Sequence, residues 1–509
     1  MLNHGSDRPS SLRRSSNVHR LAGLGVCIAM GVSACAPNLG PRPALPTSAS
    51  KATAATFAAP AADWPSDRWW LAYHDQGLTD LIEEGLEHAP SLKDAEARVK
   101  IAQALSGQSA AALSPVFTAN GSTTEYLQSK NLGFPSFIKG FLPGSFKPMG
   151  LVTINASYDF DIFGKARANL AAAVSEAEAT RADRAQARLT LSTAIGATYA
   201  DLRRLSAGRE TAAAALDIRT RAAELVKARF DQGLETRGEW MTQSAALASA
   251  RADVDQFDRQ IALTRNQLAA LIGAGPDRGE SIQPPVEAPL LNGFGLPQSL
   301  ALDLVGRRPD LTAARLRAQA AAKRIRAANA DFYPNIDLTA YTGVQSLGLD
   351  PLFRDPSRMG QFGPALHVPL FSGGRAAQGF RAARGQYDQA VAAYDQTLTQ
   401  ALREVADAAA NVRWLSRQRA DAHEALERTE AAYDAARSRQ QAGLSSSLAL
   451  LTQETALNTQ RRVVADLDGM ALTYDIALVR ALGGGYVAAK TTASKTPSSK
   501  TSSSQTGRP

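Results

Sequence analysis

Cysteine is almost absent from this chain of 509 residues: Cys27 and Cys35 are its two cysteines, and both lie near the N-terminus. A disulfide framework in the body is thereby excluded. The six histidines, His4, His19, His74, His88, His367 and His423, have no metal-ligand spacing. There is no phosphate-cradling loop and no nucleophile elbow; Gly373-Gly374 reads as a tight strand-to-helix turn. We therefore assign no catalytic residue, no metal ligand and no cofactor. No apolar run in the body approaches the roughly eighteen residues of a membrane helix. If the chain crosses a membrane, it must do so by strands in a closed barrel, where every backbone group is paired. An excess of one charge is missing too. The formal net charge is +8. Residues 1–34 hold Arg8, Arg13, Arg14 and Arg20 against Asp7, and the tail from Ala488 holds Lys490, Lys495, Lys500 and Arg508. The body is left near +1, which removes the footing for nucleic-acid binding.

Proline is missing between Gly164 and Pro276. That stretch is rich in Ala, Leu, Arg, Glu and Gln, all good helix formers. It predicts a helix from Lys165 to about Gln232, on the order of 100 Å long at about 1.5 Å per residue. Leu191, Ile195, Tyr199, Leu202 and Leu205 mark its apolar face. Gly233-Leu234 breaks it, as glycine does just past helix ends, and a second helix is predicted from Thr236 to Ile272. Immediately before this region, Val152–Ile162 alternates apolar and polar residues without a break. Period two over that length predicts a strand with one oily and one wet face. A weaker candidate strand, Val116–Tyr126, precedes it across a Gly/Pro-rich loop at Ser129–Gly150, which makes a hairpin.

Upstream, Arg13, Arg14 and Arg20 precede a short apolar run, Leu21–Val32, so residues 1–34 read as a secretory signal. Asn38–Asp63 is rich in Pro, Ala and Thr and reads as an extended linker. Trp64, Trp69 and Trp70 open packed structure. Leu78, Leu81, Ile82 and Leu86 have helical spacing, and a further helix is predicted from about Leu92 to Leu113.

After a connection at Gly273–Leu296 the pattern starts again. Pro90, Leu92, Ala95, Arg98, Ala102 and Pro115 recur 219 residues later as Pro309, Leu311, Ala314, Arg317, Ala321 and Pro334. A second hairpin follows, with strands at Asn335–Val344 and Gln361–Phe371. Beyond it the offset is 210: Gly164-Lys165 becomes Gly374-Arg375, and Gly233-Leu234 becomes Gly443-Leu444. Two tandem copies of helix, hairpin, long helix, turn, helix are therefore expected. The first spans 64–298 with its hairpin at 116–162, and the second spans 299–487 with its hairpin at 335–371. A Ser/Thr/Lys tail (488–509) is read as disordered.

Several segments carry a family resemblance: Trp69-Trp70, Asp159-Phe160-Asp161-Ile162-Phe163-Gly164, Arg308-Pro309-Asp310-Leu311, Phe332-Tyr333-Pro334, Pro369–Arg375 and Glu404-Val405-Ala406-Asp407. Over Trp64–Gly484 the chain resembles the TolC-like outer-membrane efflux factors, in particular their lipoprotein (NodT-type) branch. Val32-Ser33-Ala34-Cys35 resembles a bacterial lipobox, which would make Cys35 the lipidated N-terminus and residues 35–63 its linker. The resemblance implies a mainly α protein with a membrane β-barrel. In it, four strands per chain join a trimeric twelve-stranded barrel above a long helical periplasmic tunnel. It implies a passive exit duct for small molecules. The partners would be two further copies, a periplasmic adaptor, an inner-membrane RND-type pump that sets the substrate, and outer-membrane lipid. Adaptor docking falls at Gly233-Leu234 and Gly443-Leu444. The family's pore narrows just after the second turn, often on acidic residues. The matching positions here, Ala449 and Thr452, are uncharged, while Leu448 matches an apolar gate residue, so a mainly apolar seal is expected. Glu239 and Glu454 are the nearby carboxylates that would supply charge instead. The rival readings are a protein-secretion duct, against which the lipobox speaks, and a coiled-coil scaffold, against which the alternating strands speak.

Overall fold

The computed structural model describes residues 39–46, 63–127, 129, 135, 137, 144–283, 304 and 306–488. The signal, Cys35 and residues 489–509 lie outside them. A 3-10 turn at Trp69–Tyr73 leads into α1 (Gln76–His88), α2 (Pro90–Ala111), β1 (Val116–Tyr126) and β2 (Lys147–Asp159). Next come α3 (Lys165–Asp231), α4 (Arg237–Ile272) and the short α5 (Pro276–Glu280). The second copy is α6 (Pro309–Ala330), β3 (Asn335–Leu347), β4 (Arg358–His367), α7 (Arg375–Gln441) and α8 (Ser447–Leu482). Its lengths reproduce the first: α2 and α6 have 22 residues each, α3 and α7 have 67, and α4 and α8 have 36. Among the described residues no helix is long and apolar enough to cross a membrane.

Several boundaries differ from the sequence expectations. Helix α2 begins at Pro90 rather than Leu92, because proline has a suitable φ for a first helical position and needs no partner for an N–H it lacks. Strand β2 begins at Lys147, and β3 extends to Leu347, because Met149 pairs with Leu347. Strand β2 ends at Asp159; the Phe160 N–H still reaches the Ile336 carbonyl at 3.3 Å, and Asp161 then takes a left-handed φ of 45° that turns the chain away. Strand β4 runs Arg358–His367 rather than Gln361–Phe371, since His367 already pairs with Asn335, the first residue of β3.

Two compact units divide the chain, and each draws on both repeats. The first comprises Met1–Ser50, Ser91–Arg184 and Ala313–Gln400. It holds the sheet and small Ala-rich cores, one of Ala179, Ala182 and Ala313, another of Ala321, Ile325, Ala383, Tyr387 and Val391. Arg317 joins these helices by ion pairs to Asp183 and Glu176.

The second unit comprises Lys51–Pro90, Ala185–Thr312 and Ala401–Pro509. It has the large core. Trp69 and Trp70 meet edge to face at 5.8 Å and are packed with Ile82, Ile195, Leu202, Leu268, Ile272 and Val479. The Trp pair, the apolar face of α3 and Leu78, Leu81 and Ile82 of α1 are all buried, as their spacing predicts. Polar groups in this core are paired. The Tyr73 hydroxyl donates to Asp475 Oδ2 at 2.7 Å and the Tyr199 hydroxyl to Asp75 Oδ1 at 3.0 Å. Burial, then the adjacent carboxylate, pushes both phenols above their ordinary range. Arg308 is buried as well. Its guanidinium grips both carboxylate oxygens of Asp310 (3.1 and 2.6 Å), Glu404 Oε2 (2.8 Å) and the Ala481 carbonyl (3.0 Å). Burial would lower its pKa, but the two carboxylates outweigh that and raise it.

Candidate functional site

The sheet is antiparallel in the order β1-β2-β3-β4. Its register sorts side chains by face. Phe117, Ala156, Ala340 and Phe362 stand in one cross-strand row. Two residues along each strand, Ala119, Ile154, Thr342 and Gly360 form the next row, followed by Gly121, Val152, Val344 and Arg358. The intervening rows carry Thr118, Asn155, Tyr341 and Gln361, then Asn120, Thr153, Gly343 and Met359. One face is therefore mainly apolar and the other mainly polar, the alternation of a barrel with lipid outside and water within. On the apolar face Phe117, Ile154 and Phe362 are exposed, at 69%, 56% and 85%. In a soluble sheet such residues would be covered.

Between β2 and α3 the chain turns within five residues. Asp159 Oδ1 accepts from the Asp161 N–H at 2.7 Å. The Asp161 carboxylate then accepts from the N–H groups of Ala166 (2.8 Å) and Arg167 (2.9 Å) and from Arg167 Nε (3.0 Å). It thus satisfies donors that the first turn of any helix leaves unpaired. Burial alone would raise the Asp161 pKa, but these bonds hold it below the ordinary carboxylate value. The sequence placed Asp161 in a strand; its neighbours in the motif gave no signal of the capping role.

A group with a depressed folded pKa stabilises fully above its unfolded value of about 3.9 and loses that contribution as pH falls through the folded value. Asp161→Asn keeps a capping oxygen but removes the charge, and is therefore expected to lower stability at pH 7 by about 0.5–1 kcal/mol, the usual worth of a carboxylate at a helix N-terminus. The gap in thermal midpoint, followed by circular dichroism in detergent from pH 7 to 2, should close at the acid end. A gap that persists unchanged at pH 2 would contradict the capping account.

The two expected turns are present. Gly233 and Gly443 both have φ of 73°, and L side chains rarely adopt such a value. Each N–H closes on the preceding helix, Gly233 to Phe230 O at 2.9 Å and Gly443 to Gln440 O at 3.0 Å. Leu234 and Leu444 project outward, 63% and 79% exposed. The next helices are capped by Thr236, which accepts from the Glu239 N–H, and by Ser446, which accepts from the Ala449 N–H.

Beyond these caps the copies diverge. Phe230 stacks on Trp240 at 5.3 Å across the first turn, with Lys227 above the Trp240 ring. The equivalent residues of the second copy are Gln440 and Leu450. The stack was not anticipated, although two aromatics ten residues apart astride a Gly turn were a usable signal. On α8, Leu451 is buried against Ile218 and Ala222, while Leu448, Ala449 and Thr452 are exposed. Glu454 is held by Arg221 at 2.6 Å, and Glu239 accepts from Gln243 Nε2 at 3.0 Å. Among the described residues no group of three or more His, Cys, Asp or Glu is placed to hold a metal ion.

A sheet with one oily and one wet face, followed directly by paired helices of this length, defines an outer-membrane duct. The chain belongs to the outer membrane efflux protein family, which it matches over residues 81–274 and 300–484. It is similar to the outer membrane protein VceC of Vibrio cholerae, with 39% identity, coverage of 83% of this chain and 100% of that one, and a TM-score of 0.74. It is also similar to the multidrug resistance outer membrane protein MdtP of Escherichia coli, 29% identical over 84% of this chain and 88% of that protein. The fusaric acid resistance protein FusA of Burkholderia cepacia is 33% identical over 62% of this chain and 59% of its own length. The protein is an outer-membrane efflux channel.

Proposed function

We propose that three copies form one passive exit duct for drugs or other toxic small molecules, delivered by a periplasmic adaptor and an RND-type inner-membrane pump. The observation that carries this reading is the open sheet. Among the described strands, β1 and β4 each pair on one side only. A lipid-facing sheet cannot keep open edges, and four strands are too few for a barrel, whose smallest members have eight. Twelve strands from three chains would close it. Detergent-solubilised protein should therefore have the mass of three protomers by mass photometry. A stable monomer without channel conductance would sink the reading.

Cys35 supplies a lipid anchor in this proposal. The mature N-terminal peptide from the same preparation should carry acyl chains on that residue. Drug and fusaric acid resistance appear in the names of MdtP and FusA, which favours small-molecule efflux over protein secretion.

The adaptor docks on the exposed turns Gly233-Leu234 and Gly443-Leu444. The seal is mainly apolar. Leu448 is 37% exposed, while Leu451 provides the packing within the chain, so Leu448 is available to meet its counterparts on the pore axis beside Ala449 and Thr452. A constriction of this kind gates by dewetting. Leu448→Ala is expected to raise single-channel conductance in planar bilayers, with weak block by divalent cations, because Glu454 is already neutralised by Arg221. Tight divalent block that disappears in Glu454→Gln would show an acidic seal instead.

A further inference from the structure

In the first unit, residues 39–46 run along α7 as a strap. Leu45 packs against the core of Ala321, Ile325, Ala383, Tyr387 and Val391. The Tyr387 hydroxyl donates to the Pro43 carbonyl at 2.8 Å, and Arg384 donates to the carbonyls of Gly40 and Pro41. Between strap, α6 and α7 lies a cavity of about 520 Å³. Its wall is divided. Arg42, Arg326 and Arg384 supply three guanidinium groups, and Leu39, Phe163 and Phe380 supply an apolar side. Among the described residues no carboxylate lines it. Arg384 is committed to the strap and to Asp388, at 3.3 Å. Among the described residues Arg42 and Arg326 have neither an ion pair nor a side-chain hydrogen bond, and both are exposed.

The position of this cavity limits its ligand. Phe163 lies four residues past the end of β2 and stacks on Tyr333, two residues before β3 begins, at 4.7 Å. Phe160, Ile162, Leu370 and Phe371 around the same strand ends are all exposed, Phe371 at 92%. Aromatic side chains of this kind form a girdle where barrel strands leave the hydrocarbon. A cavity at that level meets headgroups on one side and the upper part of acyl chains on the other. Uncompensated arginines beside such a girdle form a basic pocket of the kind that holds anionic lipid headgroups, and Arg matches phosphate oxygens through paired N–H donors.

We propose that this cavity is a binding site for one anionic phospholipid of the periplasmic leaflet. Arg42 and Arg326 hold the phosphate, and Leu39, Phe163 and Phe380 contact the start of its acyl chains. The lipid joins the strap to α6 and α7 just beneath the sheet. The inference rests on the reading that the strands cross the outer membrane. It does not depend on the gate or on adaptor docking.

The test uses the full mature protein, purified in detergent, delipidated and titrated with phosphatidylglycerol or phosphatidylcholine, with bound lipid counted by native mass spectrometry. The wild-type protein should prefer phosphatidylglycerol. Each basic residue facing an anionic headgroup is worth a factor of about five, so Arg42→Gln/Arg326→Gln should weaken phosphatidylglycerol retention by about tenfold or more. Among the described residues neither side chain has a partner, so this variant should keep the fold of the protomer, which its thermal midpoint checks. Arg428→Gln/Arg437→Gln, which removes the same charge from the other unit, should leave the preference intact. So should an excess of inorganic phosphate. The proposal is overturned if the wild type shows no preference, if the Arg42/Arg326 variant keeps it, or if inorganic phosphate displaces the lipid and so reveals a free-phosphate site. Failure of the barrel reading would instead appear as monomers in mass photometry.

Discussion

Cells whose only copy carries Gly443→Trp are expected to fall to the drug susceptibility of a deletion strain, while trimers accumulate normally in the outer membrane. The same is expected of Gly233→Trp. Both glycines lie at φ of 73°, and a Cβ added at either meets no atom within 4 Å. An indole there enters open space and costs the fold only the local left-handed strain, about 1–2 kcal/mol. The effect on the proposed adaptor contact is much larger, because a rigid aromatic would stand beside the exposed Leu234 or Leu444, on which that docking is proposed. The alanine variants separate the two causes. Gly443→Ala has the backbone strain without the bulk, so it should retain most resistance. Minimal inhibitory concentrations, read beside immunoblots of unheated membranes, decide the matter. Normal resistance in both tryptophan variants would refute docking at these turns.

Arg308→Ala should deplete the protein from the membrane. Arg308 is 5% exposed and links three parts of the second unit: its own segment through Asp310, α7 through Glu404, and the end of α8 through the Ala481 carbonyl. Breaking a buried pair by removing one partner costs about 3–5 kcal/mol, because the remaining charges stay desolvated. Here Asp310 and Glu404 side chains are 25% and 34% exposed. Water can reach them, which places the expected loss near the lower end, about 3 kcal/mol. Arg308→Lys keeps the charge but cannot reproduce the planar fork on Asp310, so it should fall between alanine and wild type. Thermal midpoints of purified protein and outer-membrane yields at two growth temperatures measure this. An Arg308→Ala protein as stable as the wild type would show that the carboxylates are better off solvated than paired.

Much of the architecture was legible because its signals are local. Freedom from proline, good helix formers and the apolar face of Leu191, Ile195, Tyr199, Leu202 and Leu205 predicted α3 to within a residue or so. The 219- and 210-residue offsets pointed to the helices of the second copy, α6 and α7, and to its Gly443-Leu444 turn. The channel faces were legible too, because period-two alternation assigns side chains to faces before any partner strand is known. The strand ends were less so. Phe160 and Ile162 continue the apolar alternation of β2, yet the ladder stops at Asp159 because the Asp161 carboxylate is taken by the first turn of α3. Pattern alone carries no record of that competition.

The same division holds at the candidate gate and at the lipid cavity. Counting from Gly443 on the family resemblance pointed to Leu448, Ala449 and Thr452, but not to which leucine of α8 packs inward. The structure assigns that part to Leu451, because Ile218 and Ala222 of α3 cover it. Nor did spacing show that Glu454 is neutralised, since Arg221 lies 233 residues away in sequence and is brought to it only by packing. Arg42 and Arg326 lie in a linker and in a helix that read as unrelated. By itself the sequence determined the repeat, the long helices, the two-faced strands and the turns, all of which follow from interactions within a few residues along the chain. Only the tertiary structure decided which charges are paired, which leucine is free and where the arginines converge. Those outcomes depend on groups hundreds of residues apart competing for the same space and the same hydrogen-bond partners.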